Sequence, residues 1–234
     1  MPRIPAAFSG LCRVKKGGLA LHFELESAIR EVFVSSFNKL VIVHGFSSTP
    51  KHHWYRSIKE DFSSYFDEIN IPLMPCSRNP HPEYWVRTLR DVVPLPDEKT
   101  LFIGHSLGCI AVLRYLSSLD TDTAIGGTVL VAGFVDRIKN IPEVDSFVAQ
   151  KLDYERLRIR IQHKLVIYSS DDDIVPPLHT IRLSKLIDSK LYCYHNCGHF
   201  TQNDGVKDFP QIKEILINNH LIPNRSQNQV VTQP

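Results

Sequence analysis

The sequence predicts an α/β protein, a three-layer α/β/α sandwich on a mostly parallel sheet of about six strands. Three observations point there. Short, uniformly apolar runs such as Leu101, Phe102 and Ile103 recur along the chain, the pattern of parallel strands covered on both faces. Stretches with helical spacing of apolar residues lie between them, without internal repeats. The 234 residues, 43% hydrophobic and 22% charged, suffice for one well-buried core and are few for two.

Composition narrows the function classes. The net charge is +2, and no dense Lys/Arg stripe interleaved with aromatics is present, which argues against a nucleic-acid binder. No apolar run approaches the length of a membrane span. The five cysteines, Cys12, Cys76, Cys109, Cys193 and Cys197, are odd in number and scattered, without a C-x-x-C. A reduced, cytoplasmic protein is expected.

Taken in order, residues 1–37 read as an N-terminal extension. Arg3, Arg13, Lys15 and Lys16 precede the first acid, Glu24, a bias that mildly resembles a transit peptide, although serine and arginine are sparse. One domain is expected over residues 38–221, and residues 222–234 read as a flexible polar tail. Leu40, Val41, Ile42 and Val43 form a buried-type strand. His52, His53 and Trp54 open a helix-like stretch to about Phe66; adjacent histidines on a helix point about 100° apart, which disfavours shared metal binding. A weaker strand over residues 69–73 is closed by Pro72 and Pro75. Trp85, Val86 and Leu89 mark a helix face that Pro94 and Pro96 end.

The run at residues 101–103 comes next, and Ile110, Val112, Leu113 and Leu116 give the following helix. Residues 126–132 are another buried strand. Residues 134–163 are polar and charged, and a small cap of one or two helices over the serine described below is expected there. Strands over residues 165–168 and 191–194 flank a helix over residues 178–187. A closing helix covers residues 209–219.

The chemistry sits at the corners between these elements. Gly104, His105, Ser106, Leu107 and Gly108 fit G-x-S-x-G between a strand and a helix. Both glycines allow strand and helix backbones to approach. Ser106 would stand at a helix N-terminus, where free N–H groups favour developing negative charge. A strand running into His44 and Gly45, upstream of such an elbow, suits a second oxyanion donor; the candidate donors are the N–H groups of Phe46 and Leu107.

A serine hydroxyl needs a base, and the base an orienter. His199 follows the last strand behind Gly198, which would let the loop turn back toward Ser106; His105 and His195 are the other candidates. Asp171, Asp172 and Asp173 offer the acid, and the Asp-x-x-Val-Pro register favours Asp172, with Asp171 as alternative. The order Ser, Asp, His is that of one hydrolase architecture and of neither common serine-protease order. Cys193, His195, Cys197 and His199, at even spacing, would face one side of a continuous strand and could hold zinc. Asn196 and Gly198 end that strand, so no metal and no cofactor are expected.

His44–Gly45–Phe46, the Trp54 helix, the elbow through Cys109, Leu130 through Phe134, Asp171 through Pro176 and Gly198–His199–Phe200 together resemble the small serine hydrolases grouped with retinoblastoma-binding protein nine and the bacterial YdeN-like proteins. The similarity runs from Asn38 to Leu221. It implies a compact α/β-hydrolase with a minimal cap, Ser106, Asp172 and His199 as triad, and esterase-like or aminopeptidase-like action on a small molecule or short peptide. The Leu-x-Cys-x-Glu motif for retinoblastoma-type pockets is absent, since Leu191–Tyr192–Cys193–Tyr194–His195 ends in histidine; that partner is not expected. A non-catalytic binding protein on a hydrolase fold is the rival expectation.

Overall fold

A computed structural model describes residues 37–225. Six strands form one sheet in the order β2-β1-β3-β4-β5-β6: β1 Lys39–Val43, β2 Glu68–Asn70, β3 Thr100–His105, β4 Ile125–Val131, β5 Ile161–Ser169 and β6 Lys190–Tyr194. Every neighbouring pair is parallel. β3 and β4 are buried along their whole length, as uniformly apolar central strands must be when helices cover both faces.

Among the described residues, six helices supply those covers: α1 Tyr55–Phe62, α2 Pro82–Val92, α3 Leu107–Ser117, α4 Tyr154–Arg160, α5 Pro177–Ile187 and α6 Pro210–Asn218. α1 buries Tyr55, Ile58 and Phe62, and α6 buries Ile212, Ile215 and Leu216; these stripes share one core with Leu40, Ile42, Leu101 and Ile103. The opposite core collects Val41, Val43 and Phe102 with Trp85 and Leu89 of α2, most of α3, and Leu183 and Ile187 of α5. The side chains of one strand thus alternate between two helical layers, giving the expected three-layer sandwich. Among the described residues, no helix is long and apolar enough to cross a membrane.

Residues 134–163 hold one 3₁₀ turn and one α-helix, and two boundaries shift. Pro142–Phe147 is a 3₁₀ turn whose Phe147 packs on Trp85, and α4 is a short connecting helix beside α3. Its arginines cap carbonyls: Arg160 donates to Leu116 O, Arg156 to Leu119 O and Arg158 to Leu186 O. Such charge-assisted bonds occupy orphan carbonyls where helices end. Phe37, placed in the extension, is buried and stacks on Phe66; Ile222, placed in the tail, is buried as well. The rest of the expected extension and residues 226–234 lie outside the described residues.

Within β4, the Thr128 hydroxyl is buried with no hydrogen-bond partner among the described residues. A desolvated, unpaired hydroxyl costs free energy that an isosteric methyl does not. Thr128→Val is expected to stabilise the protein by about 1 kcal/mol, read as a higher urea midpoint at unchanged m-value. An unchanged or lower midpoint would reveal a partner for the hydroxyl.

Candidate active site

Strand order reverses between β1 and β3, the switch point at whose carboxyl edge open α/β sheets form their binding crevice. Ser106 occupies the corner between β3 and α3 with φ 53° and ψ −119°. That backbone is strained for a residue with a Cβ, at a cost of about 1–3 kcal/mol. It is held by Ser106 N–H donating to Val131 O at 2.8 Å and Cys109 N–H donating to Ser106 O at 3.0 Å. The flanking glycines are sterically required. A Cβ on Gly108 would lie 2.1 Å from the Val43 carbonyl oxygen, and one on Gly104 would lie 2.8 Å from Cys109 Cα.

Gly45 lies directly across from the serine: a Cβ there would meet Ser106 Cβ at 3.1 Å. The loop it opens is fixed by His44, which is fully buried. Met74 N–H donates to His44 Nε2 at 3.0 Å, so the ring proton sits on Nδ1 and is donated to the Gly45 carbonyl at 2.9 Å. Burial lowers the His44 pKa to about 4, consistent with a neutral ring. Ser47 N–H donates to Ser77 O at 2.8 Å and anchors the far side of the loop. Among the described residues, neither Phe46 N–H nor Leu107 N–H has an internal hydrogen-bond partner, the condition of a donor left for a ligand oxygen.

His199 and Asp172 come from the loops after β6 and β5. His199 Nδ1–H donates to Asp172 Oδ2 at 2.8 Å, and both residues are 5% exposed. Asp172 Oδ1 accepts from Ile174 N–H at 3.0 Å and Val175 N–H at 2.8 Å. With its proton on Nδ1, the imidazole keeps Nε2 as an acceptor. Among the described residues no hydrogen bond joins Ser106 Oγ to His199; the adjacent His105 instead bonds the His199 carbonyl at 2.9 Å.

The competing candidates have other work. Asp171 accepts from Ser169 Oγ at 2.5 Å, and from Cys197 N–H and Gly198 N–H at 3.3 and 3.4 Å. The Ser169 bond, foremost, holds its carboxyl below the usual range. Asp171 therefore clamps the chain leading into His199. His195 pairs with Ser170 Oγ at 2.7 Å. Among the described residues, no three His, Cys, Asp or Glu side chains are grouped to hold a metal ion, so the Cys193, His195, Cys197 and His199 alternative is not assembled.

The sequence leaves the site roles of three residues unread. Asp204 Oδ2 accepts from His199 N–H at 3.1 Å and Thr201 N–H at 2.9 Å; the Thr201-x-x-Asp204 spacing of a capping box signals it. Trp54 Nε1–H donates to Phe200 O at 3.0 Å. Tyr55 bonds His105, a pairing without a local signal. Surface cavities of about 620 Å³ against α1 and about 230 Å³ at the amino-terminal edge of the sheet contain none of the candidate residues. Ser106 itself is 7% exposed.

A family model described as serine hydrolase matches residues 40–218. The chain is 31% identical over 178 residues to YdeN of Bacillus subtilis (strain 168), covering 76% of this chain and 94% of that protein. It is 25% identical over 194 residues to the serine hydrolase RBBP9 of Rattus norvegicus, covering 78% and 98%. The crystal structure of the B. subtilis ydeN gene product superposes with a TM-score of 0.74 over 77% of this chain and 97% of that one.

Proposed function

The chain belongs to the serine hydrolase family, and from that premise we propose that it cleaves a small ester, thioester or amide through an acyl-enzyme formed on Ser106. The observation that carries this reading is the buried 2.8 Å bond from His199 Nδ1–H to Asp172, made at the crevice edge that also holds the strained serine. Fixing the proton on Nδ1 leaves Nε2 to take the serine proton as Oγ attacks the substrate carbonyl. The imidazolium so formed is stabilised by the Asp172 carboxylate, and it returns the proton to the leaving group. Water then enters and the same base activates it against the acyl-enzyme.

The oxyanion of each tetrahedral intermediate is assigned to the N–H groups of Phe46 and Leu107, each worth about 3 kcal/mol where such donors have been removed elsewhere. Leu107 N–H opens α3, so the helix dipole adds to the attraction. The hydrogen bond from Ser106 to His199 is expected to form on substrate binding, as catalytic hydrogen bonds of this kind commonly tighten then.

The test is labelling with a fluorophosphonate, which phosphorylates an activated serine. The parent is expected to label and to turn over p-nitrophenyl acetate, and Ser106→Ala to do neither. Equal labelling or turnover by the two proteins would overturn the assignment.

A further inference from the structure

The base and the oxyanion loop come from chain segments more than a hundred residues apart, and one line of buried hydrogen bonds connects them beneath the serine. His105 Nε2 lies 2.9 Å from the His199 carbonyl, which can only accept, so the His105 proton resides on Nε2. His105 Nδ1 is then an acceptor, and the partner 2.6 Å away, the Tyr55 hydroxyl, must donate to it. The Tyr55 oxygen in turn faces Gly45 N–H at 3.4 Å as its acceptor. All three bonds point one way, from Gly45 through Tyr55 and His105 to the backbone of His199. The ring of His105 is 2% exposed and Tyr55 fully buried, so no water substitutes for a lost partner without repacking.

We propose that Tyr55 and His105 form a tie that holds the oxyanion loop and the His199 loop at a fixed separation across Ser106, and that both are positioning residues for the hydrolysis. Ser106 directly follows His105, so the same side chain that grips the His199 carbonyl is bonded in sequence to the nucleophile. Moving either end of the tie shifts the donors at Phe46 relative to the base. Neighbouring contacts make the tie one device. Trp54, between Tyr55 and His53, holds the next carbonyl at Phe200, and His53 exchanges two 3.2 Å bonds with Gln202. His53 and Trp54 thus engage the His199 loop directly, and Tyr55 reaches it through His105 while also meeting the oxyanion side at Gly45.

This inference rests on the hydrolytic reading above. It is tested on the full chain with Tyr55→Phe, His105→Gln, His105→Leu and the double variant Tyr55→Phe/His105→Gln. Rates are taken per serine titrated by the fluorophosphonate, so that unfolded protein does not count. Tyr55→Phe, which removes only the hydroxyl, is expected to lower kcat about 10- to 100-fold with KM little changed, the effect of a misplaced reacting geometry. His105→Gln, whose amide can still donate to the His199 carbonyl, is expected to stay faster than His105→Leu. The double variant is expected to match His105→Gln, because the two residues act through one chain of bonds. Parent kcat in Tyr55→Phe, or losses that multiply in the double variant, would overturn the tie while leaving the hydrolase reading intact. A parent that takes no probe at Ser106 overturns both.

Discussion

Asp172→Asn is expected to lower kcat by about three to four orders of magnitude with a small change in KM, and Asp171→Asn by less than about tenfold. The size of the first effect follows from which way the new amide must point. Oδ1 of Asp172 receives two backbone N–H groups, from Ile174 and Val175, so the asparagine oxygen is held there and its NH₂ faces His199. A donor opposite Nδ1 forces the ring proton onto Nε2. The base then has no lone pair for the serine proton, while the geometry stays intact. Among the described residues, Asp171 hydrogen-bonds Ser169 and the backbone ahead of His199, and an amide retains part of that clamp. The comparison is kcat for p-nitrophenyl acetate per titrated serine. Equal losses, or a larger loss at Asp171, would move the acid to Asp171.

Local pattern explains what could be read beforehand. The apolar runs of β1, β3 and β4 are visible because both faces are buried, and the elbow because its two glycines answer a steric demand that no other residue meets. The Asp-x-x-Val-Pro register and the family resemblance both favour Asp172 over Asp171, and the fold gives the His199 bond to Asp172. What escaped was set by distant partners or by charge in unusual places. β5 starts at Ile161, ahead of the expected residue 165, because Gln162, His163 and Lys164 lie on the strand's amino-terminal end, where polar side chains reach the edge of the sheet. The arginines of α4 made residues 134–163 look solvent-facing, yet they cap the ends of α3 and α5. Tyr55 and His105 are separated by fifty positions in sequence, and such a pair leaves no periodic trace.

The two fixed tautomers also set how the protein responds to acid. His44 and His105 each accept a hydrogen bond at one nitrogen, and a second ring proton would face a donor there. At His44 it would oppose Met74 N–H. At His105 it would oppose the Tyr55 hydroxyl, which would have to turn and release Gly45. Burial above all holds the His44 and His53 pKa values down to about 4, and that of His105 well below its ordinary value.

A histidine depressed in the folded state binds fewer protons than in the unfolded chain, so stability rises with pH across the interval between the two values. The contribution is complete above about pH 6.5 and drains away as the pH falls toward 4. His44 alone accounts for a loss of about 2 kcal/mol between pH 7 and pH 5, His105 adds to it, and the half-exposed His53 adds less. Urea unfolding at pH 7, 6 and 5 reads this directly as a falling free energy at constant m-value. A flat profile would mean that these histidines carry a proton in the native state, and then neither the anchoring of the oxyanion loop by His44 nor the direction of the bonds through His105 could stand as drawn.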